Sequence, residues 1–159
     1  MLNIRVVLTG LLLLLGSTSC GVSIPQDPDG TLERVSGGIL RVGVVENEEW
    51  VELPPTGDPR GIEPALVEEF ADSLNADIEW VPGAEHKLVD DIFHGQLDLI
   101  IGGFSADTPW IKEAGITRPY VETIDERGKT LKHVMLVPMG ENAFLLKLDQ
   151  FLQAQEVKV

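Results

Sequence analysis

Residues Gly95 to Tyr120 read GQLDLIIGGFSADTPWIKEAGITRPY, and this stretch decides the fold. A turn glycine opens it, and Leu97, Leu99, Ile100 and Ile101 follow as a near-continuous apolar strand. A strand apolar on both sides belongs in the middle of a parallel sheet covered on both faces. Gly102 and Gly103 end it with backbone that another group can approach closely, as at a strand's carboxyl end facing a ligand. Ser105, Asp107 and Thr108 then offer side-chain oxygens ahead of Pro109. Proline favours the first helical position, so Thr108 is expected to cap a short helix over Pro109 to Ala114. Ligands of open α/β sheets sit outside the carboxyl ends of strands at a switch point, and the segment has that anatomy.

On these residues the chain resembles the bacterial extracellular solute-binding proteins of family 3, the polar amino-acid-binding type. Members carry a segment close to D-L-I-x-A-G-M-T-x-T-x-x-R, then a short helix and F-S-x-P-Y. Asp98, Leu99, Ile100, Gly103, Ser105, Pro119 and Tyr120 fall in register without a gap. Asp107 stands where the family has its second threonine, and Trp110 where it has the arginine that holds the ligand's carboxylate. An indole cannot reproduce a guanidinium's bidentate grip on a carboxylate. Indoles near a carboxylate suit an organic cation, or a neutral ring by stacking.

The start, MLNIRVVLTGLLLLLGSTSCG, has one cation (Arg5), an apolar core and small residues before Cys20. That is the layout of a secretory signal peptide over residues 1–19, with an apolar run too short to span a membrane comfortably. Ser17-Thr18-Ser19-Cys20 resembles a bacterial lipobox with Ser17 in the usual leucine position, so Cys20 is the expected lipidation site; ordinary cleavage nearby is the alternative. Cys20 is the only cysteine, and no internal disulfide supports the mature fold. The chain holds 26 acids against 12 bases, a net charge of −14, and loss of the leader removes only Arg5 among the charges. So acidic a chain repels nucleic acid and anionic lipid, and membrane attachment should come from the lipid alone.

Residues 20–37 lack apolar periodicity and are rich in Gly, Pro, Ser and Asp, which predicts a flexible tether. One lobe is expected over 38–159, with a βαβαβ core to residue 120. Ile39 to Val45 reads as the first, central strand, and Glu46 to Arg60 as a long loop at its carboxyl end. The resemblance implies that this loop supplies an aromatic residue to stack on the ligand, with Trp50 the candidate; a lid over the local core is the other reading of Trp50. Gly61 to Leu74 has a helical stripe through Ile62, Leu66, Phe70 and Leu74, with Glu63, Glu68, Glu69 and Asp72 mainly outward. Ala76 to Val81 alternates like an edge strand, and Leu88 to His94 reads as a helix closed by Gly95. After Tyr120 the family continues through a second lobe. Here residues 121–137 read as a β-hairpin across a charged, Gly-containing turn, in place of that lobe. Residues 138–159 supply a C-terminal helix with Asn142 as its expected cap.

The expected architecture is a three-layer α/β sandwich, an open and mostly parallel sheet of about five strands, as one lobe of a type II periplasmic-binding-protein fold. No catalytic set, phosphate loop or metal spacing presents itself. His86, His94 and His133 fall in three elements and read as surface or helix-end histidines, so neither enzyme activity nor a cofactor is expected. The candidate ligand-binding residues are Glu46, Trp50, Gly103, Ser105, Asp107, Trp110 and Tyr120, with Trp110 equally readable as packing under the short helix. The resemblance implies an exported, lipid-anchored solute-binding protein of an ATP-binding-cassette uptake system, with a small solute (amino acid or amine) and a permease as partners. The alternative is a degenerate one-lobed module that serves as a protein-binding or sensor domain, or that homodimerises, through its exposed half-cleft.

Overall fold

In the computed structural model, residues 26–159 are described; the leader and Cys20 lie outside the described residues. Strands β1 (Ile39–Val44), β2 (Asp77–Pro82), β3 (Leu99–Ile101), β4 (Gly115–Ile116) and β7 (Leu136–Val137) form one sheet in the order β2-β1-β3-β7-β4. β1 pairs in parallel on both sides, with Val42 opposite Trp80 of β2 and Leu99 of β3. β7 runs antiparallel to both of its neighbours, so the other four strands share one direction. β2 is an edge strand, as its alternation predicts, with Ile78 and Trp80 half-buried between exposed Asp77 and Glu79.

The period of two in the strands feeds two cores. Leu40, Val42, Val44, Leu99 and Ile101 face α1 (Thr31–Val35), α2 (Ile62–Ser73) and α4 (Asn142–Leu152), through Val35, Val67, Phe70, Phe144 and Leu148. Ile100 and Leu136 face α3 (Glu85–Phe93), through Leu88, Val89 and Ile92. Helices thus cover both faces of the sheet, which is why β1 and β3 are apolar almost throughout. Gly43 lies on the α3 side, where a Cβ would come within 2.8 Å of Leu97 Cδ1.

Two expectations about the chain ends are corrected. The predicted tether is, from Asp27 onward, part of the fold: α1 packs into the first core, and Val35 is fully buried. Its acids serve as acceptors. The Asp27 carboxylate accepts from Leu32 N in α1 (2.9 Å) and from Ala143 N in α4 (2.6 Å). Buried Glu141 accepts from Asp29 N and Thr31 N at 3.0 and 2.9 Å. Asp27 therefore caps α4 from across the chain, and Asn142 instead donates its amide to Gly140 O. Arg34 of α1 and Arg41 of β1 both bind the buried carboxylate of Asp98, at the amino end of β3. Burial alone would raise the Asp98 pKa, but the two guanidiniums outweigh it and hold the group below the usual carboxylate range.

Beyond Tyr120, β5 (Val121–Ile124) and β6 (Thr130–His133) pair antiparallel from Val121↔His133 to Ile124↔Thr130. The hairpin expected over 121–137 ends at His133, because Leu136 and Val137 pair with β3 and β4 of the main sheet instead. Asp125 closes its turn by accepting from Arg127 N and Lys129 N, with Gly128 at φ +78°. Val134 and Met135 then carry the chain into β7 and the main sheet.

Candidate half-cleft at the carboxyl end of β3

β1 and β3 end side by side, and the chain leaves β3 through Gly102 and Gly103. Both glycines are sterically required. A Cβ on Gly102 would stand 2.7 Å from Val45 Cβ, and one on Gly103, at φ +69°, would stand 2.5 Å from Trp50 Cδ1. Their two amides point at one acceptor: Gly102 N and Gly103 N donate to Glu63 Oε2 at 2.7 and 2.9 Å. Tyr120 donates its hydroxyl to Glu63 Oε1 at 2.6 Å. Glu63 lies in the first turn of α2, where a negative charge also suits the helix dipole. Burial pushes its carboxyl up, opposed by the Tyr120 hydroxyl and the two glycine amides. The Tyr120 hydroxyl is pushed far above its ordinary value, by burial first and then by the charge of Glu63.

Trp50 closes this floor from above. Only 2% exposed, its indole lies on the His133 imidazole with centroids 4.0 Å apart and meets Tyr120 edge-on at 6.3 Å. His133 is 3% exposed; its Nε2 lies 2.7 Å from Thr123 Oγ1, and its Nδ1 has no hydrogen-bond partner. Burial pushes its pKa down, opposed by the backbone of Gly103 and the charge of Glu49. Ser105 sits opposite His133 in an antiparallel bridge and donates its hydroxyl to Asp107. Lys129, from the hairpin turn, donates to the same carboxylate at 2.6 Å. Asp107 is solvent-exposed, and the Lys129 and Ser105 hydrogen bonds bring its pKa down to about 2.

The structure thus gathers Trp50, Gly103, Ser105 and Tyr120 around one strand end, with Asp107 at its rim. Glu46 is exposed on the loop beside Glu48 and Glu52, around a separate hollow lined also by Val51 and Leu53. Trp110 belongs to the other core: its Nε1 donates to Glu85 at the start of α3, and its ring packs with that helix's residues. Thr108 caps the 3-10 turn Pro109–Lys112 by accepting from Trp110 N, the element expected there as a short helix.

Two residues that organise this end were read differently from sequence. Glu63, grouped with outward acids, is fully buried. Its spacing to Val67, Phe70 and Leu74 puts it on the apolar stripe, a signal that its charge masks. His133, expected at the surface, is covered because β6 turns into the sheet immediately after it. His94, by contrast, is exposed at the end of α3, with Nδ1 2.8 Å from Asp90 O. Among the described residues, no group of three or more His, Cys, Asp or Glu is placed to hold a metal ion.

The bacterial extracellular solute-binding proteins, family 3, match over residues 40–157. No curated protein matches the chain. Among solved structures, the arginine-bound form of domain 1 of the arginine-binding protein from T. maritima superposes with a TM-score of 0.65 at 21% identity, over 77% of this chain and 98% of that one. An ancestral cationic amino acid solute-binding protein gives 0.66 at 13% identity, over 77% and 92%. An ancestral cyclohexadienyl dehydratase gives 0.52 at 26% identity, over 62% and 41%. The first two likenesses show the fold, a single periplasmic-binding-protein lobe.

Proposed function

Because the chain belongs to the bacterial extracellular solute-binding proteins, family 3, we propose that it is the lipid-anchored solute-binding component of an ATP-binding-cassette uptake system. It holds a small polar or cationic solute at the carboxyl end of β3 and performs no chemistry on it. Cys20 carries the lipid, and a permease receives the solute. The observation that carries the reading is the ion pair at the rim: Asp107, exposed and charged, already binds the ammonium of Lys129 with Ser105 beside it. In this reading Ser105 and Asp107 touch the solute, while Gly103 and Tyr120 keep the strand end in shape. Trp50 forms the wall, Glu46 adds negative field, and Trp110 fixes the 3-10 turn that carries Asp107. That a lone domain 1 from T. maritima has an arginine-bound form supports binding by one lobe.

Thermal denaturation of the protein against amino acids, amines and sugars tests this. A solute at a hundredfold excess over its Kd adds about 2.7 kcal/mol by mass action, which raises the midpoint by roughly 2–4 °C per kcal/mol in a domain of this size. Asp107→Asn should abolish the rise. Absence of a rise with every solute overturns the reading. The second reading, a homodimerising or protein-binding module, draws on Trp50 and His133 being nearly fully covered while Ile124 of the hairpin is 74% exposed. A dimer mass in light scattering would favour it.

A further inference from the structure

We propose that the solute is an amine or guanidine that carries no carboxylate; this rests on the β3 end being a solute site. Backbone amides converging at the end of a strand are a natural receptor for a carboxylate. Here that receptor is filled by the chain itself. Gly102 N and Gly103 N are both committed to Glu63 Oε2, at 2.7 and 2.9 Å. Glu63 is anchored in α2, fully buried and held on its other oxygen by Tyr120, so it does not yield its place to a ligand.

The groups left over at this end accept rather than donate. Asp107 is exposed and stays ionised well below neutral pH. His133, across the bridge from Ser105, is almost wholly covered beneath Trp50 and adds no donor to the rim. Glu46, Glu48 and Glu52, around their separate hollow, add only negative field. The hairpin lysines do not restore an anion site, since Lys129 is paired with Asp107 at 2.6 Å and Lys132 with Glu122 at 3.5 Å. What the chain itself lays on Asp107 is an ammonium on a four-carbon stem, the chemistry of a primary alkylamine. Lys129 is thus a resident competitor, and both it and Asp107 are exposed enough to exchange.

Calorimetric titration of the protein with matched pairs isolates the carboxylate: agmatine against arginine, and cadaverine against lysine. The decarboxylated member of each pair is expected to bind at least tenfold more tightly. Lys129→Ala should tighten cadaverine binding several-fold by removing the competitor. Asp107→Asn should weaken it at least tenfold while leaving the thermal midpoint of the unliganded protein within a few degrees. Equal or tighter binding of arginine and lysine would overturn the inference and leave the solute site standing. Failure of all four compounds to bind would remove the solute site as well.

Discussion

A buried carboxylate survives only through the donors around it, and Glu63 has three: two glycine amides and the Tyr120 hydroxyl. Tyr120→Phe removes one and leaves a buried oxygen unpaired, which should cost about 1.5–3 kcal/mol in urea denaturation. The pH dependence has a definite sign. Burial raises the folded-state pKa of Glu63 above its unfolded value, so its contribution to stability is full below the ordinary glutamate range, about 4.3. It is lost as the pH rises through the raised value. Glu63→Gln should flatten that decline in stability measured from pH 4 upward; unchanged curvature would mean that another group titrates. Gly103→Ala combines a left-handed φ of +69° with a Cβ 2.5 Å from the Trp50 ring, and should destabilise by about 2 kcal/mol or more on the same assay. The glycines were legible because only a close approach explains two in succession after a buried strand. Glu63 was not, because helix periodicity is read from apolar residues and a buried acid carries the opposite label.

Short elements are where sequence pattern gives way to long-range contacts. α1 has five residues and β4 has two, too few for any period to emerge. Each exists because of distant partners: Asp27 and Glu141 hold α1 against α4 across more than a hundred residues, and β4 is held by pairing with β7. The longer elements, α2, α3, α4 and β1, were readable because each carries a stripe or run wide enough to name its buried side. The hairpin was readable for another reason, since a charged turn with Gly128 between two strand-forming runs has few other solutions. Asp27 joins two helices through one carboxylate, so Asp27→Ala uncaps both. A cap is worth about 0.5–2 kcal/mol, and the variant should lose an amount toward the upper end, read as a lowered urea midpoint with an unchanged m-value. A loss within error would return residues 27–37 to the role of tether.

At the scale of the whole molecule, a single lobe was visible in the chain's own order, because β7 and α4 follow the hairpin directly. What the order did not disclose is that β6 brings His133 onto Trp50 and closes the wall that a stacking ligand would use. In the proposed reading the solute is held instead at the rim by Asp107, which is open to solvent and lies in the field of a chain with 26 acids, 12 bases and a net charge of −14. An exposed ion pair contributes little by itself, so the field must supply part of the affinity for a cation. Fields of this kind are screened: the Debye length shrinks from roughly 30 Å at 0.01 M salt to about 3 Å at 1 M. Cadaverine, with two ammonium groups, should therefore lose on the order of tenfold in affinity across that range, and a monoamine of equal length clearly less. Titration calorimetry at both salt concentrations gives the two slopes. Equal slopes would place the recognition in local contacts at Asp107 and Ser105, whereas a steeper slope for the diamine would make the acidity of the whole chain part of how a single lobe holds its solute.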